Sequence, residues 1–213
     1  MGARDVSKAE AAIKNLASGA PEAKPELVEP IQIDMSSDDS IAAAAKTVED
    51  KFGYLDVLMP NAGIAQAKGT TREHYRQVYD TNLFGTATTV EAFLPLLRKS
   101  TRTGGKRIAF TTSDLASLKL AMEDQGLYSA KNFHIYRSSK TALNMVMCHY
   151  ARELEDEGFV VTASNPGFCK TEFNGNMGPK DPQEGAKELV KAVELGKDEV
   201  HGRVVTEGGY MEW

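Results

Sequence analysis

Short apolar runs alternate with longer amphipathic ones along the 213 residues. Over residues 5–18, Val6, Ala9, Ile13 and Leu16 recur at helical spacing, which predicts a helix. Pro21 and Pro25 then break the chain, and residues 27–34 end in a strand-like run. Ser36 or Ser37 is placed to cap a second helix, with Asp38 and Asp39 in its first turn, where the helix dipole favours negative charge. That helix carries Ile41, Ala44, Ala45, Val48 and Phe52 on one face and stops at Gly53. Residues 55–60 read as a short buried strand ending at the turn Asn61-Ala62-Gly63. Residues 71–99 predict a helix, with Gly85 a candidate break and Pro95 a local kink. A strand over 106–113, an irregular polar stretch over 114–132 and a long helix over 134–157 follow. The last elements are a strand over 159–167, a Gly-, Asn- and Pro-rich flexible loop over 168–181, an amphipathic helix from 181 and a final strand over 203–209.

Strands that alternate with helices imply parallel βαβ units and a sheet covered on both faces. In such sheets ligands bind at the carboxyl ends of the strands. Three of those ends here carry unusual turns: Pro-Asn-Ala-Gly at 60–63, Thr-Thr-Ser-Asp at 111–114 and Asn-Pro-Gly at 165–167. The length suits one domain spanning 1–213, and no internal repeat or linker interrupts it.

Composition narrows the function classes. The chain is 41% hydrophobic and 26% charged, with a formal net charge of −5, which argues against coating nucleic acid or an anionic membrane. Cys148 and Cys169 stand alone, with no Cys/His cluster for zinc, so a reducing, cytoplasmic setting is expected and no metal. No apolar run reaches the ~18 residues of a membrane span.

The chemistry concentrates on one helix. Tyr136 and Lys140 lie four apart, so they project from one face. An ammonium beside a phenol lowers its pKa from about 10, and a phenol so tuned can exchange a proton with an alcohol or carbonyl oxygen. Ser113 lies just past a strand end, where its hydroxyl could bind a substrate oxygen or simply cap a turn. Asn82 sits in the middle of a helical stretch, which disfavours asparagine unless its side chain has a local hydrogen-bonding purpose.

Taken with LDVLMPNAGIA, TNLFGT, RIAFTTS, YRSSKTALN, NPGFCKT and HGRVVTEGGYMEW, the sequence resembles the short-chain dehydrogenase/reductase family, and looks most like its carbonyl-reductase-type members. The resemblance implies an NADP(H)-dependent oxidoreductase acting on a small ketone, aldehyde or alcohol, and Leu118, Leu120, Met122, Phe168 and Phe173, with Phe133 just beyond, lean towards a hydrophobic one. It assigns Tyr136 as general acid/base and Lys140 to lowering the phenol's pKa and holding the nicotinamide ribose. It assigns Ser113 to orienting the carbonyl and Asn82 to supporting a relay water. On the cofactor it implies Asn61, Ala62 and Gly63 in a stabilising turn, Pro166, Gly167 and Thr171 at the nicotinamide, Asp34 at the adenine side and Arg4 at the 2′-phosphate.

Departures accompany the match. Pro60 stands where the family usually has an asparagine, and Cys169 where an aliphatic residue is common. Only the adjacent Lys170 could lower the Cys169 pKa, so packing is its expected role. Ser113 and Tyr136 are 23 positions apart against the family's dozen or so, which implies an insertion at the substrate mouth. Tyr128 inside it is a rival to Tyr136, but its lysine, Lys131, is at i+3 and no SKTALN follows. No G-x-x-x-G-x-G occurs, so the expected fold is a doubly wound, Rossmann-like sheet lacking its first βαβ unit at the N-terminus. NADPH is then expected to bind this chain weakly or not at all. The alternative is a cofactor-independent acid–base enzyme, of isomerase or cyclase type, or a non-catalytic binding subunit. Retention of Ser113, Tyr136, Lys140 and Asn82 favours acid–base chemistry over a scaffold; Arg4, Asp34 and the Asn-Ala-Gly turn serve only a nucleotide. The resemblance leaves both a monomer, as in carbonyl-reductase-type members with the insertion, and a homo-oligomer open, and missing strands would favour association.

Overall fold

A computed structural model describes residues 1–19 and 24–213; Pro21 lies outside the described residues. The centre is a five-stranded sheet of β3 (Val57–Leu58), β4 (Lys106–Thr111), β5 (Phe159–Ser164), β6 (Val204–Thr206) and β7 (Gly209–Tyr210), hydrogen-bonded in that order. All pairs are parallel except β6 with β7, which form an antiparallel hairpin. A separate parallel ladder joins β1 (Gly2–Ala3) to β2 (Ile31–Gln32). The fold is thus the expected Rossmann-like α/β architecture. In the described residues its sheet is two ladders, and β1 and β3 do not pair with each other.

Side chains alternate across the central strands with the period of two that a pleat imposes. Ile108 and Phe110 of β4 and Phe159, Val161 and Ala163 of β5 face a core that includes Val90, Leu94 and Leu97 of α4 (Gly85–Arg98) and Leu143, Met147 and Leu154 at α6 (His134–Glu153). Ala109 and Val160 face the other way, against Ala192 of α7 (Pro182–Glu194) and Val200 of α8 (Lys197–Val200). A third cluster packs Ala44, Ala45 and Val48 of α2 (Asp38–Phe52) on Phe93 and Leu96 of α4, with Ile31 and Leu58 at its margin. Through α2 and α4, side-chain packing connects the ladders that hydrogen bonds leave apart.

Several local expectations hold. Helix α1 runs over Val6–Gly19. Ser37 caps α2 by accepting from the Ser40 N–H, and Gly53 ends it in the left-handed conformation. The stretch 71–99 differs: α3 (Thr71–Tyr79) and α4 are joined by a π-helical turn over Asp80–Phe84, so the irregularity precedes Gly85. Gly85 meets Met35 instead: a Cβ there would lie 1.8 Å from the Met35 carbonyl oxygen. The polar stretch 114–132 contains a helix, α5 (Leu118–Glu123), capped by Ser117. Helix α7 is followed by the single turn α8, and the final strand is the β6–β7 hairpin turning at Gly208. The loop 168–181 is fastened upon itself: the Lys170 N–H donates to the Lys180 carbonyl at 2.8 Å and Asn174 Nδ2 to that of Cys169 at 2.7 Å. No helix among the described residues is long and apolar enough to cross a membrane.

Candidate active site

A cavity of about 520 Å³ opens at the carboxyl ends of β3, β4 and β5. Its walls include Asn61, Ala62 and Gly63 after β3, Ser113 after β4, and Pro166, Gly167 and Thr171 after β5, together with Tyr136 and Lys140 from α6. Three distant strand ends and one helix face therefore meet where the sequence pattern places them. Asn82 lies just behind this wall, fully buried. Arg4 and Asp34 are set apart, following β1 and β2.

Ser113 serves two roles. Its Oγ accepts from the Leu115 N–H at 3.2 Å, capping a short 3-10 turn over Asp114–Ala116, and its hydroxyl is hydrogen-bonded to that of Tyr136. Lys140 is buried, and its Nζ donates to the Thr111 carbonyl at 2.8 Å. That is the ammonium's one hydrogen bond among the described residues, so two N–H donors remain for whatever enters the cavity.

The electrostatics correct one expectation. The Lys140 charge was to bring the Tyr136 phenol below its ordinary range; instead burial pushes Tyr136 up to about 12, against a smaller lowering by the Ser113 hydrogen bond. Burial also brings Lys140 down to about 8. The ammonium is directed at Thr111 and sits 5.8 Å from the centre of the phenol ring, so desolvation outweighs attraction.

Asn82 owes its place to the π-helical turn. Its Oδ1 accepts from the Ile64 N–H at 2.8 Å, while Nδ2 donates to the Ile64 carbonyl at 2.9 Å and to Ser139 Oγ at 3.0 Å. It clasps the loop after Asn61-Ala62-Gly63 to α6, the local purpose its helical position demanded. A Cβ on Gly63 would lie 3.2 Å from Asn82 Oδ1 and 3.6 Å from Lys140 Nζ, so a bare backbone is what leaves the lysine approachable.

These features fit the nicotinamide-ribose end of a nucleotide: two free donors on a buried lysine suit a diol, beside a turn without side-chain bulk. The residue that the resemblance sets at the adenine end, Asp34, has an Oδ1 that accepts from the Ser36 N–H at 2.9 Å and from Ser36 Oγ at 2.7 Å. Those bonds, and to a smaller extent the Arg4 charge nearby, hold its carboxyl below the usual range. The sequence contains no glycine-rich turn to stand between the two ends.

Some site residues carried no signal in the pattern. Arg137, buried on α6, donates from Nε to the Leu115 carbonyl at 3.2 Å and from Nη2 to that of Tyr128 at 2.7 Å, tying the insertion to the helix that bears Tyr136. A single arginine beside a catalytic-type tyrosine reads as surface charge until the insertion is seen folded over it. Tyr128, the rival phenol, lines the same cavity, where burial raises its pKa. Phe133 precedes α6 at φ 55°, a left-handed conformation that is an outlier for a bulky side chain and costs on the order of 1 kcal/mol. Cys169 is buried, with Sγ 3.3 Å from the Pro166 carbonyl; burial raises its pKa, and the lowering charge is Lys180 rather than the neighbouring Lys170.

Comparison with known proteins agrees with this fold. The family model described as short chain dehydrogenase matches residues 2–182. The short-chain dehydrogenase anuI of Penicillium roqueforti is 44% identical over 209 residues, covering 95% of this chain and 81% of that protein. The short-chain dehydrogenase/reductase tropE of Talaromyces stipitatus is 30% identical over 223 residues, covering 95% and 82%. Among solved structures, the NADPH-bound carbonyl reductase from chicken fatty liver superposes with a TM-score of 0.81 at 26% identity, covering 100% of this chain and 86% of that one.

Proposed function

The chain belongs to the short-chain dehydrogenase family of oxidoreductases, and from that premise we propose that it reduces a ketone or aldehyde with NADPH, Tyr136 delivering the proton. The observation that carries the reading is the convergence of the Ser113 and Tyr136 hydroxyls and the partly unpaired Lys140 ammonium on one cavity. A reduced nicotinamide, when bound there, would supply a hydride for the carbonyl carbon. The Tyr136 hydroxyl passes its proton to the carbonyl oxygen, to which Ser113 Oγ also donates a hydrogen bond. The product is an alcohol, and solvent restores the proton of the phenolate. A phenol held near 12 is protonated at neutral pH, the form that reduction requires. Lys140, through its two remaining N–H groups, holds the ribose hydroxyls, and Asn82 fixes the turn at Gly63 against the same helix.

The test is consumption of NADPH, supplied in large excess because the sequence offers no glycine-rich pyrophosphate turn, with a panel of ketones and aldehydes, followed by absorbance and by detection of the alcohol. No consumption with any of them sinks the reading. Arg4 is proposed to bind the 2′-phosphate, a charge-assisted contact of roughly 1.5–3 kcal/mol. Arg4→Ala is therefore expected to lower the selectivity for NADPH over NADH about tenfold, read as a ratio of dissociation constants; an unchanged ratio removes Arg4 from that role.

The pH profile follows from Lys140. Below about 8 the lysine is charged and can hold the ribose; above it the charge is lost while Tyr136 still keeps its proton. The expected kcat/KM for reduction falls as pH rises through about 8. A profile flat to far higher pH would show that the charge of Lys140 is not used.

A further inference from the structure

We infer that the carbonyl compound is flat and aromatic, seated against Phe133 and Phe173 with its oxygen toward the Tyr136 and Ser113 hydroxyls; the inference rests on the carbonyl-reduction reading above. The cavity, of about 520 Å³, has to take the nicotinamide as well as the carbonyl compound. Polar side chains line much of it, Ser113, Tyr136 and Lys140 among them, while phenylalanines stand on the two loops that border it. Phe133 and Phe173 are 45% and 49% exposed, so neither ring is spent on packing the protein's own core. The Phe173 ring is tilted 59° against the Tyr136 ring, with centres 5.7 Å apart, one of the arrangements aromatic pairs prefer. A substrate ring beside Tyr136 would join that pair without rearranging it.

Phe133 adds an independent argument. Among the described residues it shares a positive φ with one other non-glycine, Asn176, a residue type that adopts this conformation readily. Phenylalanine does not, and glycine or asparagine would start α6 at this point without strain. The half-exposed ring recovers little of that strain through packing, and it faces the cavity. Strain of this kind, held at the mouth of a site, points to a use for the side chain there.

The experiment compares acetophenone with cyclohexyl methyl ketone, which match in size but differ in flatness. The wild type is expected to favour acetophenone about tenfold or more in kcat/KM. Phe133→Leu and Phe173→Leu should each cut the preference several-fold, mainly through a higher KM for the aromatic member. Phe133→Gly should lose the preference while raising Tm, because the strain is relieved. Equal or better reduction of the cyclohexyl ketone by the wild type overturns the inference, as does a preference that survives both leucine variants. If neither ketone is reduced, the reductase reading fails, and calorimetric titration of 2-acetonaphthone decides the aromatic one separately. Binding that weakens about tenfold in both leucine variants upholds it, and absent or unaltered binding overturns it.

Discussion

Tyr136→Phe is expected to lower kcat for carbonyl reduction by about 10²–10⁴-fold, the range that a positioned general acid contributes. The substitution removes one oxygen and keeps the ring that meets Phe173. Ser113 Oγ loses a partner but retains the Leu115 N–H, so the strand end stays capped. The loss should fall on kcat rather than on substrate binding, because proton transfer occurs only in the transition state. Steady-state kinetics checks this, with circular dichroism confirming the fold. Activity within threefold of the wild type would move the proton donor elsewhere, with Tyr128, on the same cavity wall, the first candidate.

Gly85→Ala is expected to destabilise the protein by about 3 kcal/mol, lowering Tm by roughly 6–12 °C for a domain of this size. The added methyl would sit 1.8 Å from the Met35 carbonyl oxygen and 2.7 Å from its carbon, both backbone atoms that no rotamer change can clear. Helix α4 must then retreat from the segment that follows β2, loosening the contact in which Thr89 Oγ1 donates to Met35 Sδ at 3.5 Å. Alanine's better helix propensity, ~1 kcal/mol over glycine, opposes the loss and is too small to reverse it. A thermal melt of the variant at or above the wild-type Tm would refute the close approach.

Gly85 also marks the limit of what the pattern could reveal. A glycine within a helical run reads as a break, because composition registers its weak propensity; its real reason is a neighbour 50 positions earlier in the chain. Asn82 is the opposite case. Its misfit to a helix was visible, and the π-helical turn with three hydrogen bonds is what resolves it. The strands and helices that bear the site were legible because pleat and helix periods are strict and buried on both faces. Helix α5 was not, since it has no buried residue of its own to set a period.

The residues that gather at the cavity were legible through their motifs, whereas their electrostatics were not. Spacing places Lys140 one turn from Tyr136 but cannot say where the ammonium points. The Thr111 carbonyl takes one of its protons, and burial sets the sign of the tyrosine's shift. Arg137 and Phe133 depend on how the insertion folds back on α6, a tertiary matter without a local signature.

The division of the sheet into two ladders has a consequence for cooperativity. The β1–β2 ladder holds two residue pairs, and its amides at Ile31 and Ile33 donate to Met1 and Ala3. The central ladder of β4 with β5 holds six pairs. With no strand pairing between the two among the described residues, the smaller ladder can open as a unit of its own, at a lower free energy than global unfolding. Arg4 and Asp34 ride on that unit, while Ser113, Tyr136 and Lys140 belong to the other. Amide exchange is thus expected to run faster around Arg4 and Asp34 than around Ser113, Tyr136 and Lys140, and a ligand touching both units would slow it in the smaller one most.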